Sequence, residues 1–272
     1  MKIAVSGKGG TGKTFIAGTL AALFVRRGHR VIALDADPSP NLAQTLGLSP
    51  DEAARIVPIA ENEQLIRLKT GTEFSGVFRL TFTVDDIIDT CSVPTPAGPH
   101  LMVMGTVRSM GAGCTCPANS VVKALLRHLV VERDEVVILD MEAGTEHLGR
   151  GTAEHVDTII VVTDANRKSL EIARSICQLA AESDIHRIGL VGNRIHGSLQ
   201  ENAIRLFAEK HMLHIFTMIP YDQQVADAGI TGADVDEKTS LALPAIGQLA
   251  DILADNDDGV PDVRTGKETM FR

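Results

Sequence analysis

The sequence predicts an α/β fold, a mostly parallel twisted sheet with helices on both faces, built around a phosphate-binding loop. Two observations predict it. Apolar runs of strand length alternate with longer helical patterns, which is how a parallel sheet covered on both faces reads. The pattern G-x-x-x-x-G-K-[ST] is met by Gly7, Gly12, Lys13 and Thr14, directly after one apolar run and before one helical pattern.

The first run, residues 2–6, carries Ile3, Ala4 and Val5 and forms the strand that enters the loop. Residues 14–27 repeat apolar side chains at helical spacing and close on Arg26, Arg27 and Gly28, a basic last turn and the residue type that ends helices. Strand 31–34 follows, with Asp35-Ala36-Asp37-Pro38 at its exit. Residues 49–99 break the alternation, and within them 67–70, Gly71 and 77–83 read as a small hairpin or loop inserted between two sheet strands. Further strands are expected at 100–104, 135–139, 158–163, 187–192 and 213–219, and helices at 121–131, 169–182, 200–211 and 241–254. A single domain is expected over residues 1–254, since α/β chains of this size commonly fold around one sheet, with a polar tail at 255–272.

Lys and Arg number 26 against 35 Asp and Glu, a net charge of −9, so the surface as a whole repels nucleic acid and anionic lipid. Neither DNA nor a membrane is expected as a partner. The four cysteines, Cys91, Cys114, Cys116 and Cys177, are too few and too unevenly spaced for a disulfide scaffold, which fits a reducing compartment. The loop begins at Gly7, which leaves no room for a signal peptide, and no run approaches the roughly 18 apolar residues of a membrane span. A soluble, cytoplasmic protein is the expectation.

The loop glycines let successive N–H groups converge on phosphate oxygens, helped by the positive end of the following helix. Gly9, Gly10, Thr11, Gly12, Lys13, Thr14 and Phe15 are therefore candidate nucleotide contacts, with Lys13 on the β- and γ-phosphates and Thr14 on magnesium. Lys8 is a second lysine that such loops do not ordinarily need. Beyond strand 31–34, Asp37 could position the attacking water and Asp35 could help hold the magnesium shell. Alternatively, Asp37 or Ser39 caps a helix over 41–46. Asp140 closes an apolar run, where a carboxylate reaches magnesium through water. Glu142-Ala143-Gly144 follows at once and reads equally as a nucleotide-sensing switch or an ordinary turn.

Asn193-Arg194 and Pro220-Tyr221-Asp222 occupy strand ends where a nucleobase would be read. Asn193 offers donor and acceptor to a base edge, while Arg194 and Tyr221, the one tyrosine of the chain, could pack on its faces. Asn and Pro are also common turn residues at such positions.

Lys8 with Lys13, Asp35-Ala36-Asp37-Pro38, Asp140 and Asn193 together resemble the deviant Walker A ATPases, which include MinD, ParA and the nitrogenase iron protein. The resemblance runs from the phosphate loop to Tyr221. It implies a MinD-like P-loop NTPase fold, magnesium-dependent hydrolysis of ATP to ADP, and an ATP-bound homodimer in which Lys8 crosses the interface to touch the other subunit's nucleotide. Cys114-Thr115-Cys116, between Gly113 and Pro117, sets members of the group apart. Two thiols one residue apart can bind one soft or borderline metal, but a tetrahedral thiolate site wants four ligands. A twofold axis would supply the pair twice, whereas spacing alone allows incidental or redox cysteines. Together with the segments 103–106 and 140–147, this loop is similar to that of the branch assisting nickel-centre maturation of carbon monoxide dehydrogenase. That similarity implies nickel or zinc on Cys114 and Cys116 at the dimer interface, and a nickel metalloenzyme as client. A positioning ATPase acting on DNA or membrane and a redox-sensing regulator are the alternatives, the first opposed by the net charge. His147 and His155 read as surface or packed histidines near the switch. Cys177, spaced helically with Leu170, Ala173 and Ala180, reads as core, as do Met102 and Met104.

Overall fold

β-branched side chains lose rotamer freedom in a helix but stand well on a pleated surface. The runs Glu135–Asp140 and Thr158–Thr163 are rich in them, and every residue of both is buried, as in the centre of a parallel sheet. The computed structural model describes residues 1–37, 40–70, 84–105, 135–142, 156–183, 185 and 187–255. Its strands are β1 (Lys2–Gly7), β2 (Arg30–Asp35), β3 (Val93–Pro94), β4 (His100–Val103), β5 (Glu135–Asp140), β6 (Thr158–Thr163), β7 (Arg187–Ile195) and β8 (Ile215–Pro220). The helices are α1 (Lys13–Arg26), α2 (Leu42–Thr45), α3 (Pro50–Ala53), α4 (Glu63–Thr70), α5 (Val84–Cys91), α6 (Arg167–Ala181), α7 (Gly197–Lys210), α8 (Gln223–Thr231) and α9 (Ala242–Ala254).

The sheet has eight strands in the order β3-β4-β2-β5-β1-β6-β7-β8. Every pair is parallel except β3 with β4, where Pro94 sits on the edge strand that best tolerates a missing N–H. β1 lies between β5 and β6, with Val5 opposite Asp140 and Gly7 opposite Val162. Alternate side chains of each strand feed two cores. Ile3, Val5, Ala33, Ile138 and Ile160 pack with Ile16, Leu20 and Phe24 of α1 and Leu249 and Leu253 of α9. Ala4, Leu34, Leu139, Ile159 and Val161 pack with Ala173, Ile176 and Cys177 of α6. Cys177 is core, as are Met102 and Met104, and burial pushes its thiol up to about 12. Arg187 fastens the far end of α9 by donating to the carbonyls of Ile252 and Leu253, which the helix itself leaves unpaired. Among the described residues no helix is long and apolar enough to cross a membrane.

The structure departs from the sequence reading in several places. Residues 67–70 are the last turns of α4, not a hairpin arm; the Asn62 carboxamide accepts the Leu65 N–H at 3.0 Å and starts a helix there. Residues 77–83 and 121–131 lie outside the described residues. The N-cap of the short helix after β2 is Asn41 and not Asp37, with no side-chain cap bond there, and Asp35 accepts the Leu42 N–H at 2.9 Å; Ser39 lies outside the described residues. α8 was not foreseen, because it buries none of its residues and so shows no apolar stripe.

Candidate functional site

β1 ends at Gly7, where an added Cβ would lie 2.2 Å from the Val162 carbonyl oxygen of the neighbouring strand. Only glycine lets the chain leave the sheet so close to β6. The turn closes as Thr11 donates its hydroxyl to the Lys8 carbonyl at 2.8 Å, and α1 begins on Gly12. No side chain caps this helix and no acid occupies its first turn, so its leading N–H groups face a site suited to an anion.

Lys13, at the head of α1, is 5% exposed, and its one hydrogen bond among the described residues is a long one, 3.5 Å, to the Lys8 carbonyl. A buried ammonium with so little compensation has a strong requirement for an anion. Opposite it stands Asp140, 1% exposed, neither of whose oxygens has a hydrogen-bond partner among the described residues. Burial pushes this carboxyl up to about 6, although the nearby Thr14 hydroxyl and Lys13 ammonium act in the opposite direction. An orphaned buried carboxylate beside a P-loop threonine is a donor set that fits a hard divalent cation such as magnesium. Asp35 is the direct cross-strand neighbour of Asp140. Burial raises it too, against the Leu42 and Asp37 N–H groups that its oxygens accept at 2.9 and 3.2 Å. It stands behind Asp140, with its lone pairs already partly engaged. Asp37 lies half-buried at the exit of β2.

The end of β7 holds the loop from the other side. β7 runs three residues beyond the expected Gly192, through Asn193 and Arg194 to Ile195. Asn193 donates its carboxamide to the Thr11 carbonyl at 2.7 Å, and Arg194 donates its guanidinium to the Gly10 carbonyl at 2.9 Å. Arg194 adopts φ 58, a left-handed conformation unusual for a bulky residue.

Beside this clamp opens a pocket of about 430 Å³ lined by Gly12, Phe15, Asn193, Arg194, Pro220, Tyr221 and Asp222, all of them candidate nucleotide contacts. The sequence reading missed Val225, Ala226, Gly229 and Ile230 of α8 and Ala242 of α9, which complete the wall. Asp222 and Gly232, the residues that bracket α8, were the start and stop signals that could have found it. Asp222 shapes the wall more than it offers a free acceptor: its carboxylate receives the Gln224 N–H, the Ser240 hydroxyl and the Leu241 and Ala242 N–H groups. Lys8 is half-buried at the loop's start, and its ammonium bonds to none of the described residues. Cys114, Cys116, His147, His155 and Gly144 lie outside the described residues, while Glu142 is exposed just past β5.

A phosphate loop on β1 of a parallel sheet, a carboxylate at the end of the adjacent strand and a base-sized pocket beyond it define a nucleotide-hydrolysing P-loop protein. Residues 2–235 match the CobQ/CobB/MinD/ParA nucleotide binding domain, and the chain belongs to that family of ATPases. It is 40% identical to the carbon monoxide dehydrogenase accessory protein CooC of Rhodospirillum rubrum, over 85% of this chain and 88% of that protein. An uncharacterised ATP-binding protein of Methanocaldococcus jannaschii is 39% identical over 89% of this chain and 93% of its own length. Among solved structures, the MinD cell division protein of Aquifex aeolicus superposes with a TM-score of 0.66 at 20% identity, covering 93% of this chain and 96% of that one, a likeness of fold.

Proposed function

We propose that this ATPase works as a homodimer that delivers nickel to a metalloenzyme of the carbon monoxide dehydrogenase class. The observation that carries the proposal is the Cys114-Thr115-Cys116 pair in a chain 40% identical to a carbon monoxide dehydrogenase accessory protein. Nickel, or zinc in its place, is cargo held by Cys114 and Cys116 of both subunits, because four thiolates complete a tetrahedral shell that two cannot.

In the hydrolytic half of the cycle, the N–H groups of Gly9 to Phe15 and the Lys13 ammonium hold the β- and γ-phosphates, and Asn193, Arg194, Pro220, Tyr221 and Asp222 frame the base. Thr14 and Asp140 would hold magnesium, with Asp35 behind them, and the ion when bound neutralises charge on the phosphates. Asp37 orients a water for in-line attack on the γ-phosphorus. The P–O bond to ADP breaks as the new one forms, and the water's protons leave with inorganic phosphate and solvent. Lys13 stabilises the growing negative charge, and Lys8 of the second subunit adds a positive charge from across the interface.

Anaerobic equilibrium dialysis against nickel and against zinc, with and without ATP, tests this reading. One metal per two chains, abolished in Cys114→Ser, is the expected result. Metal held by a stable monomer and unaffected by that substitution would sink the bridged site.

A further inference from the structure

His196 does not line the 430 Å³ pocket, yet it backs the one tyrosine that does. The imidazole and the Tyr221 ring are stacked, their centroids 4.1 Å apart and their planes at 27°. Tyr221 is fixed at two further points. Its backbone N–H donates to the Ile195 carbonyl at 3.0 Å, and its phenol bonds to the Gln223 carboxamide oxygen at 3.1 Å. Gln223 is held in turn by its own bond to Asp227, at 2.8 Å. His196 is also anchored, its backbone N–H donating to Gln200 of α7 at 2.8 Å. A ring at the exit of a strand would otherwise sample several χ1 wells over open solvent. With one face covered by imidazole, it keeps the orientation that presents the remainder of the ring to the pocket.

We infer that His196 is a positioning residue for nucleobase binding, acting through Tyr221. The inference rests on the adenine-nucleotide reading of that pocket. The stack joins the start of α7 to the exit of β8, so it also ties the end of the strand bearing Asn193 and Arg194 to the residue that follows β8. Its effect is on ground-state binding of the base, remote from Lys13, Asp37 and Asp140, where the phosphoryl group transfers. The substrate class is a nucleoside triphosphate whose base is read by a ring edge or face, and the contribution is to affinity and not to turnover.

Equilibrium binding of a fluorescent ATP analogue and steady-state ATP hydrolysis test it, using the full chain. Given the usual worth of an aromatic pair, His196→Ala should raise Kd and KM by about three- to tenfold at unchanged kcat. His196→Phe should restore both, and in a Tyr221→Ala background His196→Ala should add nothing. Unchanged Kd in His196→Ala, a loss that Phe does not restore, or an effect that persists without the Tyr221 ring would each overturn the positioning role. If the wild-type chain itself bound no adenine nucleotide, the reading of the pocket would fall and take this inference with it. Normal binding by the wild type and by His196→Ala alike would remove the inference alone.

Discussion

Gly12 sits where two demands coincide. Its φ is 93, which costs a side-chain-bearing residue about 1 kcal/mol or more, and a Cβ there would come within 2.4 Å of the Asn193 amide nitrogen. That nitrogen is the donor holding the Thr11 carbonyl, so the intruding methyl group would push the clamp from the loop it steadies. Gly12→Ala should therefore keep the fold, because the strain is local, while weakening ATP binding by tenfold or more, about 1.4 kcal/mol. Titration calorimetry with far-UV circular dichroism as a fold control measures this, and native affinity in the variant would show that the clamp is dispensable. The motif made Gly12 legible in the sequence, but the reason it cannot change was not: Asn193 lies far along the chain and reads as a contact to a base edge or a turn residue, not as a clamp on the Thr11 carbonyl.

Elements were legible to the degree that burial marks them. β1, β2, β5 and β6 fall within a residue or two of their expected limits because the sheet's centre requires unbroken apolar runs. β7 runs past its apolar stretch, since an irregular register between Gly192 and Ile195 carries polar Asn193 and Arg194 along the sheet end. α8 owes its position to Asp222 instead of to an apolar stripe. Burial pushes that carboxyl up, but bonds from the Ser240 hydroxyl and the Ala242, Gln224 and Leu241 N–H groups outweigh it and hold it below its ordinary value of 3.8. It thus starts α8 and steadies the head of α9 at once, a link that depends on residues far apart in sequence. A carboxyl depressed by folding contributes stability above its unfolded value, and that contribution fades as pH falls through the folded one. Asp222→Asn should accordingly lose about 2 kcal/mol at neutral pH, as expected for hydrogen bonds to a buried charge, with the deficit shrinking below about pH 4. Urea denaturation of both proteins from pH 7 to pH 3 measures the difference, and a deficit that stayed constant over that range would show the charge to be irrelevant.

At the scale of the whole molecule, the proposed dimer has to overcome its own charge. Each chain carries a net charge of −9, and two bound nucleotides add more negative charge to the faces that must meet. Lys8 is a half-buried cation whose ammonium no described residue holds, whereas Lys13 is buried beneath its own loop. In the proposed dimer the two lysines of one motif would divide the work: Lys13 would serve the site of its own chain, and Lys8 a second chain's phosphates. Removing Lys8 should leave ATP binding to the monomer nearly intact while abolishing the ATP-dependent doubling of mass, and hydrolysis should fall with the dimer. Light scattering with and without ATP, in wild type and Lys8→Ala, measures the first effect, and a phosphate-release assay measures the second. Because the proposed attraction is between charges brought together at a wet interface, raising salt to roughly 1 M, where screening acts within about 3 Å, should weaken the wild-type dimer toward the variant's behaviour. A Lys8→Ala protein that dimerised and hydrolysed ATP as the wild type does would assign the second lysine to its own loop and leave the cysteine pair as the sole argument for two chains.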